Sequence, residues 1–182
     1  MRNAGYLVNT RHGTEGEPGL FYDYILAHNG LFLRAENSLL AVTIVIAEAC
    51  VRGLDNVKET IELKKGKIPY SLYELAISSL FASGTHREHY VAITWDGGYH
   101  LQTPTQEGGM GSVQYEPLPN TILEFHSHGT MSAFFSRTDD QDEQGLGIYG
   151  VVGELNLLAP VIKMRVGAYG YFAPVDLKEV FT

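Results

Sequence analysis

The stretch HSHGTMSAFFSRTDD, from His126 to Asp140, gathers groups that bind metals and move protons. His126 and His128 stand two apart; seven residues later comes Ser136, and three after that Asp139. Residues i and i+2 of a strand point to the same side, so both imidazoles share one face, with Ser127 on the other. Imidazole nitrogen and carboxylate oxygen are common zinc donors, and a catalytic zinc takes three protein ligands and leaves a position for water. Asp139, on a short helix after the strand, can supply the third ligand. A metal makes its bound water acidic enough to act as a nucleophile. A base must still take the water's proton, usually a non-ligating Glu. A donor must meet the oxyanion, and the Ser136 hydroxyl can serve. Each piece also has an ordinary reading. H-x-H pairs arise by chance, and S-x-x-D is a common helix start, with Ser136 as N-cap and Asp139 at N3 near the positive end of the helix. Composition and spacing do not choose among the glutamates.

Taken together, an upstream Glu, H-S-H, seven residues and S-x-x-D resemble the signature of the JAB/MPN metallopeptidases, or JAMM proteins, and in particular their bacterial deubiquitinase-like members. The resemblance covers residues 67–175. It implies that His126, His128 and Asp139 bind Zn2+, that Glu88 is general base and then acid, and that Ser136 stabilises the oxyanion. Glu88 is chosen because the family's Glu lies on the strand after the first helix, here HREHYVAIT. The implied reaction is attack of zinc-bound water on the amide after the C-terminus of a ubiquitin or ubiquitin-like protein, in deconjugation or precursor processing. Bacterial members of this size often sit in gene clusters with ubiquitin-like and E1-like or E2-like proteins, some of them in antiphage defence. Such proteins are the implied partners. Two alternatives stand beside this zinc isopeptidase: a metal-free MPN scaffold module, and a zinc hydrolase of a small sulfur-carrier protein or low-molecular-weight amide. The sequence departs from the family in two places. Gly129 stands where a proline often follows the second His, which predicts a looser loop. The segment after Asp139 is short, without the insertion by which eukaryotic members grip ubiquitin; the loop from Gly97 to Pro119 could do some of that gripping instead.

Residues that surround this stretch must place it. The 182-residue chain has 45% hydrophobic residues, 20 Gly and a net charge of −8. Such an acidic chain is unsuited to tracking nucleic-acid phosphates. No apolar run is long enough to span a bilayer: SLLAVTIVIAEACV is short, holds Glu48, and its β-branched residues read as a buried strand. One cysteine, Cys50, excludes an internal disulfide and reads as a buried apolar residue. A cytoplasmic location follows as an expectation. Residues 1–66 read as a β-rich N-terminal extension, with a hairpin turning at Asn29-Gly30 and strands at Leu39 to Cys50 and in VKETIEL. Residues 67–182 read as the JAB/MPN domain. Pro69 and Gly84 bracket a helix over Tyr70 to Ala82, whose buried face would hold Leu72, Leu75, Ala76, Ser79 and Leu80. Strands follow in EHYVAITWD, GGYHLQTPTQ and TILEFHSH, with EGGMGSVQYEPLPN as a loop between the last two. SRTDDQDEQG allows a short acidic helix, and three further strands close the chain. The order predicts an α/β (α+β) fold; the resemblance adds a curved mixed sheet flanked by helices. Glu124 shares the ligand face of its strand but reads as a partly exposed strand residue, and Asp140 as a solvated helix charge.

Overall fold

A computed structural model describes residues 2–109 and 113–182. The chain separates into two compact units, Met1–Gly66 and Lys67–Thr182. The first is a six-stranded sheet in the order β2-β1-β3-β4-β5-β6. Its strands are β1 (Ala4–Thr10), β2 (Gly13–Glu17), β3 (Tyr22–Ala27), β4 (Gly30–Glu36), β5 (Leu40–Glu48) and β6 (Thr60–Leu63). Pairing is antiparallel except between β1 and β3. Leu7, Ile25, Ala27 and Phe32 form a buried cluster on this sheet.

Several expectations for this unit need correction. The β3–β4 hairpin closes at Ala27 and Gly30, so its two turn residues are His28 and Asn29, one position earlier than the Asn-Gly pair suggests. Asn29 also ties down a distant segment. Its side chain donates to Val57 O and accepts from Val57 N, both at 2.9 Å. With its backbone groups engaged there, Val57 falls outside the ladder, and of VKETIEL only Thr60–Leu63 is strand. Cys50 is exposed. The burial of β5 fades toward its end, from Leu40, Val42 and Ile44 to the exposed Ala47 and Glu48, and Cys50 lies beyond that end.

The second unit is a mixed α/β structure. Helix α1 (Tyr70–Ala82) is followed by β7 (Tyr90–Trp95), β8 (Tyr99–Gln102), β9 (Gln106–Gly108), β10 (Val113–Tyr115) and β11 (Thr121–Ser127). Then come α2 (Arg137–Asp142), β12 (Leu146–Gly153), β13 (Val161–Ala168), β14 (Tyr171–Pro174) and the single turn α3 (Leu177–Val180). The main sheet runs β14-β13-β12-β11-β7-β8. Only β11 and β12 pair in parallel. Parallel neighbours cannot be joined by a tight turn, so residues 128–145 must cross over, and that crossover holds α2. Helix α1 lies where Pro69 and Gly84 place it; Gly84 takes φ +89° and donates to Phe81 O. Its buried residues are Ala76 and Leu80, while Leu75 is exposed, because Tyr73 rather than Leu75 turns toward Phe125 and Phe181. Phe125 is fully buried, and the ring lies so close to Gly150 of β12 that any Cβ there would meet it at 2.2 Å. The segment expected to be a loop contains the two-stranded hairpin β9–β10; positions 110–112 lie outside the described residues. The ends of this unit meet: Ile68 and Phe181 form a bridge, and Ile68 N donates to Val180 O at 2.9 Å. No helix among the described residues is long and apolar enough to cross a membrane.

Because Cys50 is exposed, a thiol reagent should label the native protein at about the rate seen in denaturant, with one equivalent consumed. Protection of the native thiol by more than roughly tenfold would contradict this placement.

Candidate metal centre and its surroundings

Strand β11 turns its odd residues, Leu123, Phe125 and Ser127, into full burial, with Phe125 facing α1. The even residues Glu124, His126 and His128 therefore share the opposite face. His128 lies just past the strand but keeps the ladder, donating its N–H to Val152 O at 2.8 Å. Antiparallel pairing sets His126 opposite Tyr90. Two residues further, the same register brings Glu88 opposite His128. Glu88 precedes the strand rather than lying on it, correcting the expectation that it sits within β7. Ser127 holds this end together: its N–H donates to His89 O at 2.9 Å and its Oγ accepts from His89 N at 3.0 Å. From the other side Glu88 N donates to Gly109 O at 2.9 Å, and Gly108 packs so closely that a Cβ would lie 2.2 Å from Glu88 O.

The crossover brings α2 to this end. Ser136 is its N-cap: Ser136 Oγ accepts from Asp139 N at 3.2 Å, and Asp139 Oδ2 accepts from Ser136 N at 2.5 Å. The capping box leaves Asp139 Oδ1 facing His126 Nε2 at 3.5 Å. The two histidine Nε2 atoms are 3.2 Å apart, and Glu88 Oε1 is 4.0 Å from His128 Nε2. Ligand atoms of His126, His128 and Asp139 all lie within 4.8 Å of one another. Capping uses a lone pair of Ser136 Oγ and leaves its O–H free to donate. The helix-cap and chemical readings of S-x-x-D are thus compatible in one geometry.

Burial makes both imidazoles poor bases. The pKa of His126 is pushed down to about 4 by desolvation and by the positive charges nearby, against the pull of Asp139. That of His128 is lowered for the same first reason, against Ser132 and Asp139. His128 Nδ1 faces the Ser132 carbonyl at 3.3 Å, so Nδ1 carries the proton and the Nε2 lone pair points inward. Glu88 is buried, with 8% exposure, and desolvation followed by the Asp139 charge raises its pKa to about 7.

These groups line a cavity of about 150 Å³ together with Tyr90, Tyr115, Glu124, Phe134 and Glu143. Glu124 is half-buried and accepts from Tyr115 OH at 3.1 Å; Tyr115, on β10, stacks on Tyr90 with ring centroids 3.6 Å apart. Asp140 is only half exposed and accepts from Arg165 Nη1 at 2.6 Å, which corrects its reading as a solvated charge. Sequence reasoning missed Arg165, Glu143 and Tyr115. A lone Arg in the apolar run PVIKMRVGAY was the available signal, since a buried cation needs partners and DDQDE offered them. Tyr115 gave no signal, because it acts through a hairpin that the glycines disguised.

Residues 84–166 match the family model described as prokaryotic homologs of the JAB domain. Over most of its length, the second unit is thus similar to JAB-domain proteins. Among curated proteins no sequence matches the chain. The family's proline after the second His has no place here. Gly129 takes φ +58°, and a Cβ would lie 2.3 Å from Thr85 O, so the loop is tight rather than loose. Gly129→Pro should cost about 3 kcal/mol, because proline is locked near φ −65°; a lower urea midpoint checks this, and an unchanged midpoint refutes it.

Glu88 supplies a pH-dependent test. In the metal-free protein its folded pKa of about 7 exceeds the ordinary 4.5. The neutral acid is favoured, so its contribution is intact below about pH 4.5 and lost as pH rises through 7. Glu88→Gln should therefore raise Tm relative to the metal-free parent at pH 8 more than at pH 5. Equal gains at both would show an unshifted carboxyl.

Proposed function

We propose that this protein is a zinc-dependent isopeptidase or peptidase that cleaves the amide after the C-terminus of a ubiquitin-like protein. The observation that carries the reading is the convergence of two neutral imidazoles and a carboxylate on one cavity that also holds a buried glutamate. The donor set fits zinc: bonds of 2.0–2.1 Å in a tetrahedron put ligand atoms about 3.4 Å apart, and the two closest pairs are 3.2 and 3.5 Å apart. His126, His128 and Asp139 would hold the ion. It would supply a Lewis acid that polarises the carbonyl and acidifies water.

The remaining work falls to side chains. Glu88 takes a proton from the attacking water as the C–O bond forms, and returns one to the amine as the C–N bond breaks. Its burial suits both steps, because a carboxyl with a pKa near 7 accepts and gives up protons with little penalty. The free Ser136 O–H donates to the developing oxyanion. A cavity of about 150 Å³ admits an extended chain terminus but no folded body. That fits a substrate whose reacting bond lies at the end of a tail. The ubiquitin-like identity of that substrate, and conjugating-enzyme homologues as partners, come from the family.

The test joins metal content with cleavage. Protein purified without added metal should carry close to one zinc per chain, and His128→Ala little. Fusions carrying a peptide after a ubiquitin-like C-terminus should be cut by the parent. Glu88→Gln should keep the zinc and lose roughly 10²- to 10⁴-fold in kcat. The parent's rate should rise with pH as Glu88 ionises, with its midpoint at or below about 7, since a nearby cation favours the carboxylate. Cleavage by Glu88→Gln at the parental rate would sink the assignment. Absence of zinc even after reconstitution would leave a scaffold.

A further inference from the structure

Glu124 of β11, Tyr149 of β12 and Arg165 of β13 are successive partners across the sheet. Side chains in such a row point to one face. That is the face of His126, so Arg165 shares it two strands away. Arg165 is buried, with 7% exposure. Its Nε donates to Glu143 Oε2 at 2.8 Å, and Nη2 lies 2.7 Å from the same oxygen. Nη1 donates to Asp140 Oδ1 at 2.6 Å. The guanidinium lies between two aromatic rings, 3.9 Å from the centre of Phe135 and 3.7 Å from that of Phe172. Its partners straddle the site: Phe135 immediately precedes the Ser136 cap, Asp140 immediately follows Asp139, and Glu143 N donates to Asp139 O at 2.9 Å.

A six-residue helix cannot hold its own position, because one and a half turns make too few internal bonds. No residue of α2 is buried. Its anchorage comes from neighbours, and Arg165 grips it on both sides of Asp139. We infer that Arg165 is a positioning residue for the metal centre: it clamps the crossover onto the sheet and thereby sets Asp139 against His126 and His128. The inference rests on the zinc reading for its function, but the clamp itself is a property of the metal-free chain. The planar fork is needed. A lysine reaches one carboxylate at a time and presents no flat face to the rings.

The experiment uses the full chain and two variants, Arg165→Lys and Asp140→Asn. The second removes the charge of one half-exposed partner and leaves the buried Arg165–Glu143 pair intact, so its fold is secure. Amide exchange of metal-free protein reads the clamp, and Co2+ titration followed by visible absorption reads the centre. The expected result has two parts: faster exchange confined to 137–143 in both variants, and Co2+ binding roughly 10- to 100-fold weaker with an altered band shape in Arg165→Lys. Asp140→Asn should show the same changes to a smaller degree. Unchanged exchange in folded Arg165→Lys, or an unchanged Co2+ affinity and spectrum, overturns the positioning role while the parent's metal binding stands. A parent that binds no Co2+ overturns the zinc reading and this role with it, and faster exchange in the variants would then mark a purely structural clamp.

Discussion

Ser136 and Asp139 each satisfy the other's main-chain N–H, and the remainder of the centre hangs on that exchange. Two hydrogen bonds, at 2.5 and 3.2 Å, fix where the carboxylate points. One oxygen is consumed by the cap and the other is left to face His126. A carboxylate on a longer, freer tether would spend rotamer entropy on the same placement. Here helix initiation has already restricted it, so the direction of the carboxylate comes with the fold. The serine is equally economical, accepting with a lone pair and keeping its proton for another acceptor.

Pairing order explains why the groups meet at all. The parallel pair of the main sheet, β11 with β12, forces a crossover past the end of β11, where His128 stands. The antiparallel β7 on the other side begins at that same end, and the register hands Glu88 to the site. Close main-chain packing does the rest. Gly108 and Gly129 bring the covering hairpin and the crossover against main-chain oxygens on the segment before β7, at distances no side chain would permit.

Much of this could be read from residues alone, and the misses share a cause. Helix α1 was legible because Pro69 and Gly84 act locally. The gathering of His126, His128 and Asp139 was legible because strand period and a capping motif are local rules. Leu75, Cys50 and Asn29 were misread because their surroundings depend on distant chain: which side Tyr73 takes, where β5 runs out of cover, and which loop needs a side-chain cap. Arg165 belongs to the same class. It meets Asp140 and Glu143 only through a sheet that no short window contains. Residues 107–120 looked irregular because glycine is common both in loops and where two backbones touch.

The bridge between Ile68 and Phe181 has a different implication. The second unit begins and finishes at one point in space, so its sequence is a closed excursion from that point. Such a unit is suited to being spliced into a surface loop of another protein, since the host needs to supply only two neighbouring attachment points. The same proximity makes the junction sensitive. Tyr70, the first residue of α1, donates its N–H to Thr182 O. Residues cut from that end would thus release the start of the helix whose Tyr73 abuts Phe125, on the reverse side of the strand that bears the histidines.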